Sequence, residues 1–461
     1  MIEINSFLNT FDIVVLAAGK GSRMQSGTLS KPLHLLNGIT LIEYLLLNLP
    51  LKNFNNKIAV VPSEYENIKS KINNVDNEFL YAVQNNPKGT GDALFHTLEN
   101  LKSKYVLVVN SDVPLITQST YLNLMKNHED NNLSLSFIQD DLSDDIPGDF
   151  GIVVKSNDGN IKSIEEKSRI YLESDKDNSL QFNVGVYCFD VNWLQKFLTN
   201  LSTHSNGEKY ITDLVEMAYK QGLNIDTFYP KYSDESLGIN DNYELSLANN
   251  IARNRKNKQL MMKGVTIVDP FSTYIDYNCE IAEGTIIHPG THIKGNSIIG
   301  KNCKIGPNAQ LSDSIIGNNS IVNNSVIKKS KLGKQVHIGP FSHIRQFSDI
   351  RDNVFIGTNV EIKNSIIDSE TKLGHYCYIG DSVIGELVNI GAGTVTCNYD
   401  GVKKHKTNIK SKAFIGSGTM IVAPITINEG AKIGAGSVLT QDVQKNSLVY
   451  GVPAKKIRDL S

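Results

Sequence analysis

The stretch Phe414–Val438, FIGSGTMIVAPITINEGAKIGAGSV, sets aliphatic side chains six residues apart: Ile415, Ile421, Ile427 and Ile433, with Leu439 one step further. A period of six is neither the 3.6 of an amphipathic helix nor the 2 of a flat strand. It is the signature of hexapeptide repeats, in which three hexads close one triangular coil and each aliphatic residue turns inward. The stacked aliphatics form a one-dimensional core in which each coil touches mainly its neighbours. Working back along the chain, Ile281, Ile287, Ile293, Ile299, Ile305 and Leu311 keep the same spacing, as do Leu332, Ile338, Ile344, Ile350, Ile356 and Ile362. Three separate runs rule out chance, and residues 264–461 are predicted to form a left-handed parallel β-helix.

The frame slips between Ile362 and Leu373 and again between Ile390 and Ile409. The second slip encloses TCNYDGVKKHKTN (Thr396–Asn408), too long for a tight corner, so it is expected to protrude as a loop. Residues 1–240 read differently. Short β-branched runs (DIVVLAAG, KIAVVP, KYVLVVNSDVPL, NVGVYCFD) alternate with helix-length segments such as ITLIEYLLLNL. That alternation predicts an α/β domain with a mostly parallel, doubly wound, Rossmann-like sheet. Between the two parts, residues 241–263 space Leu245, Ala248, Ile251 and Ala252 as in a helix and are read as a linker helix.

The chain has 461 residues and a net charge of -2, which excludes a bulk basic field for nucleic acid. Five cysteines without a C-x-x-C pair fit reduced thiols better than a disulfide framework or a zinc site. No apolar run approaches the ~20 residues that span a bilayer, and the first residues lack the basic and apolar regions of a signal peptide. The expectation is a cytoplasmic protein with no membrane partner.

LAAGKGSRM (Leu16–Met24) follows the first apolar run. A glycine turn after a strand lets backbone N–H groups approach anionic oxygen, and Arg23 and Lys31 then supply mobile cations suited to a triphosphate. A generic glycine turn is the plainer reading. NNPKGTGDAL (Asn85–Leu94) is a second such turn, preceded by Gln84, which can read a base edge. Asp112 stands at the carboxyl end of a continuously apolar strand. There it serves either as a hard-oxygen Mg²⁺ ligand or as a simple turn aspartate.

Taken in order, LAAGKGSRM…KP, Q…GTGDA, SDVPL, EEK, NVGVY, YITDL and LGIND resemble the motifs of the sugar-1-phosphate nucleotidylyltransferases. Followed by a β-helix containing GHYCYIGDSVIGELVNIGAGTVTCNYDG, the chain resembles the family of bifunctional N-acetylglucosamine-1-phosphate uridyltransferase/glucosamine-1-phosphate acetyltransferases over nearly its whole length. The resemblance implies that glucosamine 1-phosphate is acetylated by acetyl-CoA and the product is then coupled to UTP. It assigns Leu16, Ala17, Ala18 and Gly19 to the nucleotide, Arg23 and Lys31 to the phosphates, Gln84 to the uracil, and Gly89 and Thr90 to base and ribose. Gly151, Glu165 and Asn183 match positions for the amino sugar, and Asp112 and Asn240 match the Mg²⁺ pair.

In the second half the resemblance makes His375 the base that deprotonates the amine, an imidazole being suited to that pH range. Arg345 and Lys363 meet the sugar phosphate, although solvated charges are the plainer reading of each. Tyr378 and Asn389 match sugar-binding positions, and Ala392, Asn398, Tyr399, Ser417 and Ala435 match positions lining acetyl-CoA. The cationic GVKKHK (Gly401–Lys406) either helps hold the cofactor phosphates or is only solvated. Two positions depart from the family. Ser111 stands where it has a glycine, and Gly451, in VYGVPAKKIRDLS, stands near the place of an arginine, which leaves Lys455 or Lys456 as replacement cations. A homotrimer is implied by the resemblance. The competing reading is a nucleotidylyltransferase whose β-helix serves only assembly or regulation.

Overall fold

The computed structural model describes residues 10–19, 21, 24, 29–52, 54–141, 150–167 and 180–460. The chain divides into two compact units, Met1–Ala252 and Arg253–Ser461. The helix Asn242–Met262 runs through the point of division.

Among the described residues of the first unit, eleven strands follow in order: β1 (Phe11–Leu16), β2 (Leu35–Leu36), β3 (Ile39–Thr40), β4 (Lys57–Pro62), β5 (Leu80–Gln84), β6 (Tyr105–Asn110), β7 (Leu135–Asp141), β8 (Phe150–Lys155), β9 (Ile161–Lys167), β10 (Gln181–Asp190) and β11 (Ile225–Phe228). The main sheet runs β11-β7-β10-β6-β1-β4-β5, with β8 and β9 attached to β10. Strands β6, β1, β4 and β5 are parallel, whereas β10 is antiparallel to both β6 and β7. β1, β4 and β6 are buried on both faces because helices cover both, which is why they read as apolar runs. Two apolar cores result, one on each side of the sheet. The carboxyl ends of β1, β5 and β6 therefore open on the same edge, where an α/β sheet binds its ligand.

The second unit is the left-handed parallel β-helix. Three sheets of very short strands share one interior, and the inward residues of the predicted runs are almost completely buried. Each pairs with its equivalent one coil away, as Ile287 with Ile305 and Ile415 with Ile433. Between Leu311 and Leu332, where the sequence pattern lapses, Ile316, Val322 and Ile327 take the inward positions at spacings of five and six. Corners turn through left-handed residues, among which asparagine, whose short side chain tolerates positive φ, is the most frequent type apart from glycine. The first coil is closed by the helix: Asn257 donates to the carbonyls of Pro270 and Thr273, and Leu260 joins the apolar interior. Such a cap meets the need of a solenoid to cover its terminal coil.

Because the interior is one file of stacked aliphatics, a gap in it has nowhere to redistribute. Ile390→Ala is expected to destabilise this unit by about 2–5 kcal/mol, read by chemical denaturation. A loss under 1 kcal/mol would show that the coils collapse around the gap.

Candidate active sites

In the first unit, a cavity of about 550 Å³ opens at the carboxyl edge of the sheet. Its walls include Leu16, Ala18, Gly19, Lys31, Gln84, Gly89, Thr90, Ser111 and Asp112. Three loops are tied together to make it. Ser111 N–H donates to the carbonyl of Leu16 at 3.1 Å, and Ile239 N–H donates to the carbonyl of Asp112 at 2.9 Å. The second bond brings Asn240 beside Asp112 although 128 residues separate them in sequence.

The two side chains then share one cation. Lys31 Nζ lies 3.0 Å from Asp112 Oδ2 and 2.9 Å from Asn240 Oδ1. Asn240 is held from behind, its backbone N–H donating to the Glu244 carboxylate, which is itself buried. Burial raises the Glu244 carboxyl above the usual carboxylate range, against the hydrogen bond from Asn240. Two hard oxygens therefore converge on the position of one positive charge. That donor set fits Mg²⁺, which takes one or two protein oxygens and fills its octahedron with water and substrate phosphates.

Opposite, Gln84 is buried, and its amide donates to Asp92 Oδ2 at 2.7 Å and to the carbonyl of Gly89 at 3.3 Å. Asp92 thereby fixes which amide edge Gln84 shows to the cavity. Gly89 sits at φ 93°, and a Cβ there would run into the carbonyl oxygen of Lys209. The contact locks this turn to Tyr210 and Glu208, which also line the cavity and were missed by sequence reasoning. Thr90 accepts from Ile211 N–H at 3.1 Å. Gly89→Ala is expected to cost about 1–3 kcal/mol in backbone strain and to raise the KM for nucleotide about tenfold. An unchanged KM would show that the turn does not shape the cavity.

Around the sheet extension, Asn183 pairs with Gly151 and Gly151 with Glu166. Glu165 is in register with Ile152, one position along, so the row Asn183–Gly151 continues to Glu166. The Asn183 amide donates to Tyr187 Oη at 2.6 Å. Arg23 lies outside the described residues.

In the β-helix the residues named from sequence fall on two corners and two faces. His375, Ala392, Ser417 and Ala435 each follow the glycine after an inward aliphatic, and the register stacks these positions on successive coils. Thr358 begins this column and Gly451 ends it. The glycines beside it cannot be larger, since a Cβ at Gly374 or Gly416 would lie within 2.6 Å of the next coil's backbone nitrogen. The residues above His375 in this column, Ala392, Ser417 and Ala435, are small. His375 itself is exposed, with Nδ1 3.0 Å from Thr358 N and 2.7 Å from Thr358 Oγ1.

The opposite corner of the adjoining face carries the charges. Arg345 and Lys363 are register partners on successive coils. Arg345 donates twice to Glu361 Oε1, at 2.8 and 2.6 Å. Lys363 is buried with its Nζ 3.4 Å from Asp381 Oδ2, and Asp381 also accepts from Asn364 and Asn398, each at 2.6 Å. Burial works to raise the Asp381 carboxyl, but the bond from Asn364 and the Lys363 charge outweigh it and hold it below its usual value. Asp381 is thus the hub of this corner. An acid one coil above Lys363 was its only sequence signal.

Tyr378 lies on the face between the corners, its hydroxyl over Gly380 toward Asn398. The inserted segment departs after Cys397 and returns at Thr407, with Tyr399 bridged to Lys404. It does fold out as a loop. The Lys404 amine is pushed below the usual lysine range by its contact with Lys363, so GVKKHK faces the charged corner. Asn389 stands apart on the preceding face, as a neighbour of Lys372 and Phe414. Lys456 is occupied by Asp459 and Gln444, leaving Lys455 as the less committed cation of the final hairpin.

A nucleotide-sized cavity at the edge of an α/β sheet, in one chain with a hexapeptide β-helix that carries an exposed histidine below a column of small residues, defines a two-part transferase. Comparison agrees. Residues 13–233 match the nucleotidyl transferase family and residues 275–349 the GMPPB C-terminal domain. The chain is 37% identical over 449 residues to the bifunctional protein GlmU of Acetivibrio thermocellus, covering 97% of this chain and 96% of that one. It is 36% identical over 446 residues to the GlmU of Geotalea uraniireducens, with 96% of each covered. The chain belongs to the bifunctional GlmU family, and it is a uridyltransferase and an acetyltransferase in one polypeptide.

Proposed function

We propose that the β-helix acetylates glucosamine 1-phosphate from acetyl-CoA around His375, and that the first unit then joins N-acetylglucosamine 1-phosphate to UTP around Lys31, Asp112 and Asn240. The observation that carries the second assignment is the convergence of Asp112 and Asn240 on one cation. Magnesium held there supplies charge neutralisation at the triphosphate. The sugar phosphate is already anionic at neutral pH, so its oxygen attacks the α-phosphorus without a protein base, and pyrophosphate leaves. What the chain adds is alignment. Lys31, drawn from the Asp112–Asn240 pair, is positioned to follow the phosphates, as Arg23 is by sequence. Gln84, its amide fixed by Asp92, reads the uracil edge, and Gly89 and Thr90 carry base and ribose. Leu16, Ala17, Ala18 and Gly19 line the nucleotide, while Gly151, Glu165 and Asn183 reach the amino sugar.

For acetyl transfer, the amine of glucosamine 1-phosphate attacks the thioester carbonyl, and His375 takes the amine proton. Thr358 meets the ring at Nδ1: its N–H donates to a bare Nδ1, and when Nδ1 carries the proton the hydroxyl accepts from it in place of that bond. That second tautomer leaves Nε2 bare as the base. Arg345 and Lys363, each backed by a carboxylate, grip the sugar phosphate, with Tyr378 and Asn389 on the sugar. Ala392, Ser417 and Ala435 line acetyl-CoA, with Asn398 and Tyr399 above, and Lys455 stands in for the arginine position taken by Gly451.

These groups lie on two corners and two faces of one prism. The split supports a homotrimer in which a second copy completes each site. Among the described residues no helix is long and apolar enough to cross a membrane, and the lack of a basic field supports small-molecule substrates in the cytoplasm rather than nucleic acid. CoA release on adding glucosamine 1-phosphate and acetyl-CoA tests the acetyl half alone. No release would favour a β-helix used only for assembly.

A further inference from the structure

The column that carries Arg345 and Lys363 does not begin there. Register pairing places Lys294, Ser312 and Lys328 below Arg345 at the same corner of successive coils. Four of these five positions are cations, repeating at about 4.8 Å. The two upper ones have carboxylate partners, Glu361 and Asp381. Lys294 and Lys328, with the adjacent exposed Lys329, have no side-chain hydrogen-bond or ion-pair partner among the described residues. Two neighbouring hollows of about 570 and 370 Å³ open along this column and share Ser312 and Lys328. The larger also includes Lys329, His343, Arg345 and Phe347.

An independent observation points to a ligand. His343 Nε2 is buried and makes no hydrogen bond. A buried polar atom normally has a partner, and an exception calls for an unseen one. Phe347, in the same hollow, leaves 76% of its surface exposed. Like charges stacked at one-coil spacing repel unless an anion lies between them.

We propose that the Lys294–Lys328 part of the column, with Lys329 and His343, binds a linked-phosphate anion distinct from the sugar phosphate that Arg345 and Lys363 hold above it. A chain of phosphates reaches two rungs of the column at once, which a single phosphate does not. His343, carrying its proton on Nε2, donates the directional bond. The inference does not depend on the roles given to His375 or Asp112.

The test is calorimetric titration of the full chain with inorganic tripolyphosphate, without divalent metal. The double variant Lys328→Ala/Lys329→Ala serves as comparison and orthophosphate as a second probe. Both lysines are exposed, so the variant is expected to keep its circular dichroism and its melting point. The expected result is that the variant loses one binding event, or binds at least tenfold more weakly, and that acetyl transfer stays within twofold. High salt weakens the event in the parent chain. Equal affinity and stoichiometry in parent and variant overturns the proposal. So does orthophosphate binding as tightly as tripolyphosphate, or a parallel loss of acetyl transfer, which would place the lysines in the sugar site.

Discussion

Asp112→Ala abolishes most uridyl transfer, by about two to three orders of magnitude, and leaves acetyl transfer unchanged. The size follows from a bound metal contributing several kcal/mol of charge stabilisation, at about 1.4 kcal/mol per factor of ten. The side chain is partly exposed at the cavity and, among the described residues, is bonded to Lys31. Its loss leaves Lys31 with Asn240 among the described residues. Pyrophosphate release from UTP and N-acetylglucosamine 1-phosphate, followed across a Mg²⁺ titration, checks it. Activity retained within tenfold would remove Asp112 from the metal site, and a matching fall in acetyl transfer would point to misfolding instead.

His375→Ala produces the opposite division. General-base catalysis is worth about 10²–10⁴-fold, and that much of the CoA-release rate is expected to go while uridyl transfer is untouched. The fold tolerates the change, since the ring is exposed and its hydrogen bonds among the described residues are with Thr358. Raising the pH should recover part of the lost rate, because more of the substrate amine is then unprotonated without help. A variant with the parent rate at neutral pH would strip His375 of its role. Paired with Asp112→Ala, it separates two reactions that one assay of final product would merge.

How much of the fold and of the two sites is legible in the sequence depends on which physical signals are periodic. The inward isoleucines announce themselves because every coil repeats the same burial, and one slip in the pattern exposed the loop after Cys397. The parallel strands were readable because burial on both faces makes them continuously apolar. The column from His375 to Ala435 was also latent in the repeats, as the second residue after each stacked aliphatic. Partners set by tertiary contact were not. Asp381 above Lys363, Glu361 above Arg345, Asp92 behind Gln84 and Thr358 beside His375 are ordinary polar residues until the coils or turns bring them into reach. The bond from Ile239 N–H to Asp112 that sets Asn240 in place crosses half the first unit's sequence, and no local pattern encodes it. The antiparallel course of β10 was equally hidden, because its continuous apolar run matches those of the parallel strands β1, β4 and β6.

The central claim is that one chain carries out consecutive transfers on the same sugar. Glucosamine 1-phosphate, acetyl-CoA, UTP and Mg²⁺ are supplied together to the purified full chain, and the products are followed by mass. The account predicts UDP-N-acetylglucosamine with equal amounts of CoA and pyrophosphate, and no nucleotide sugar when acetyl-CoA is left out. Formation of UDP-glucosamine without acetyl-CoA, or CoA release with no nucleotide sugar following it, would contradict the account.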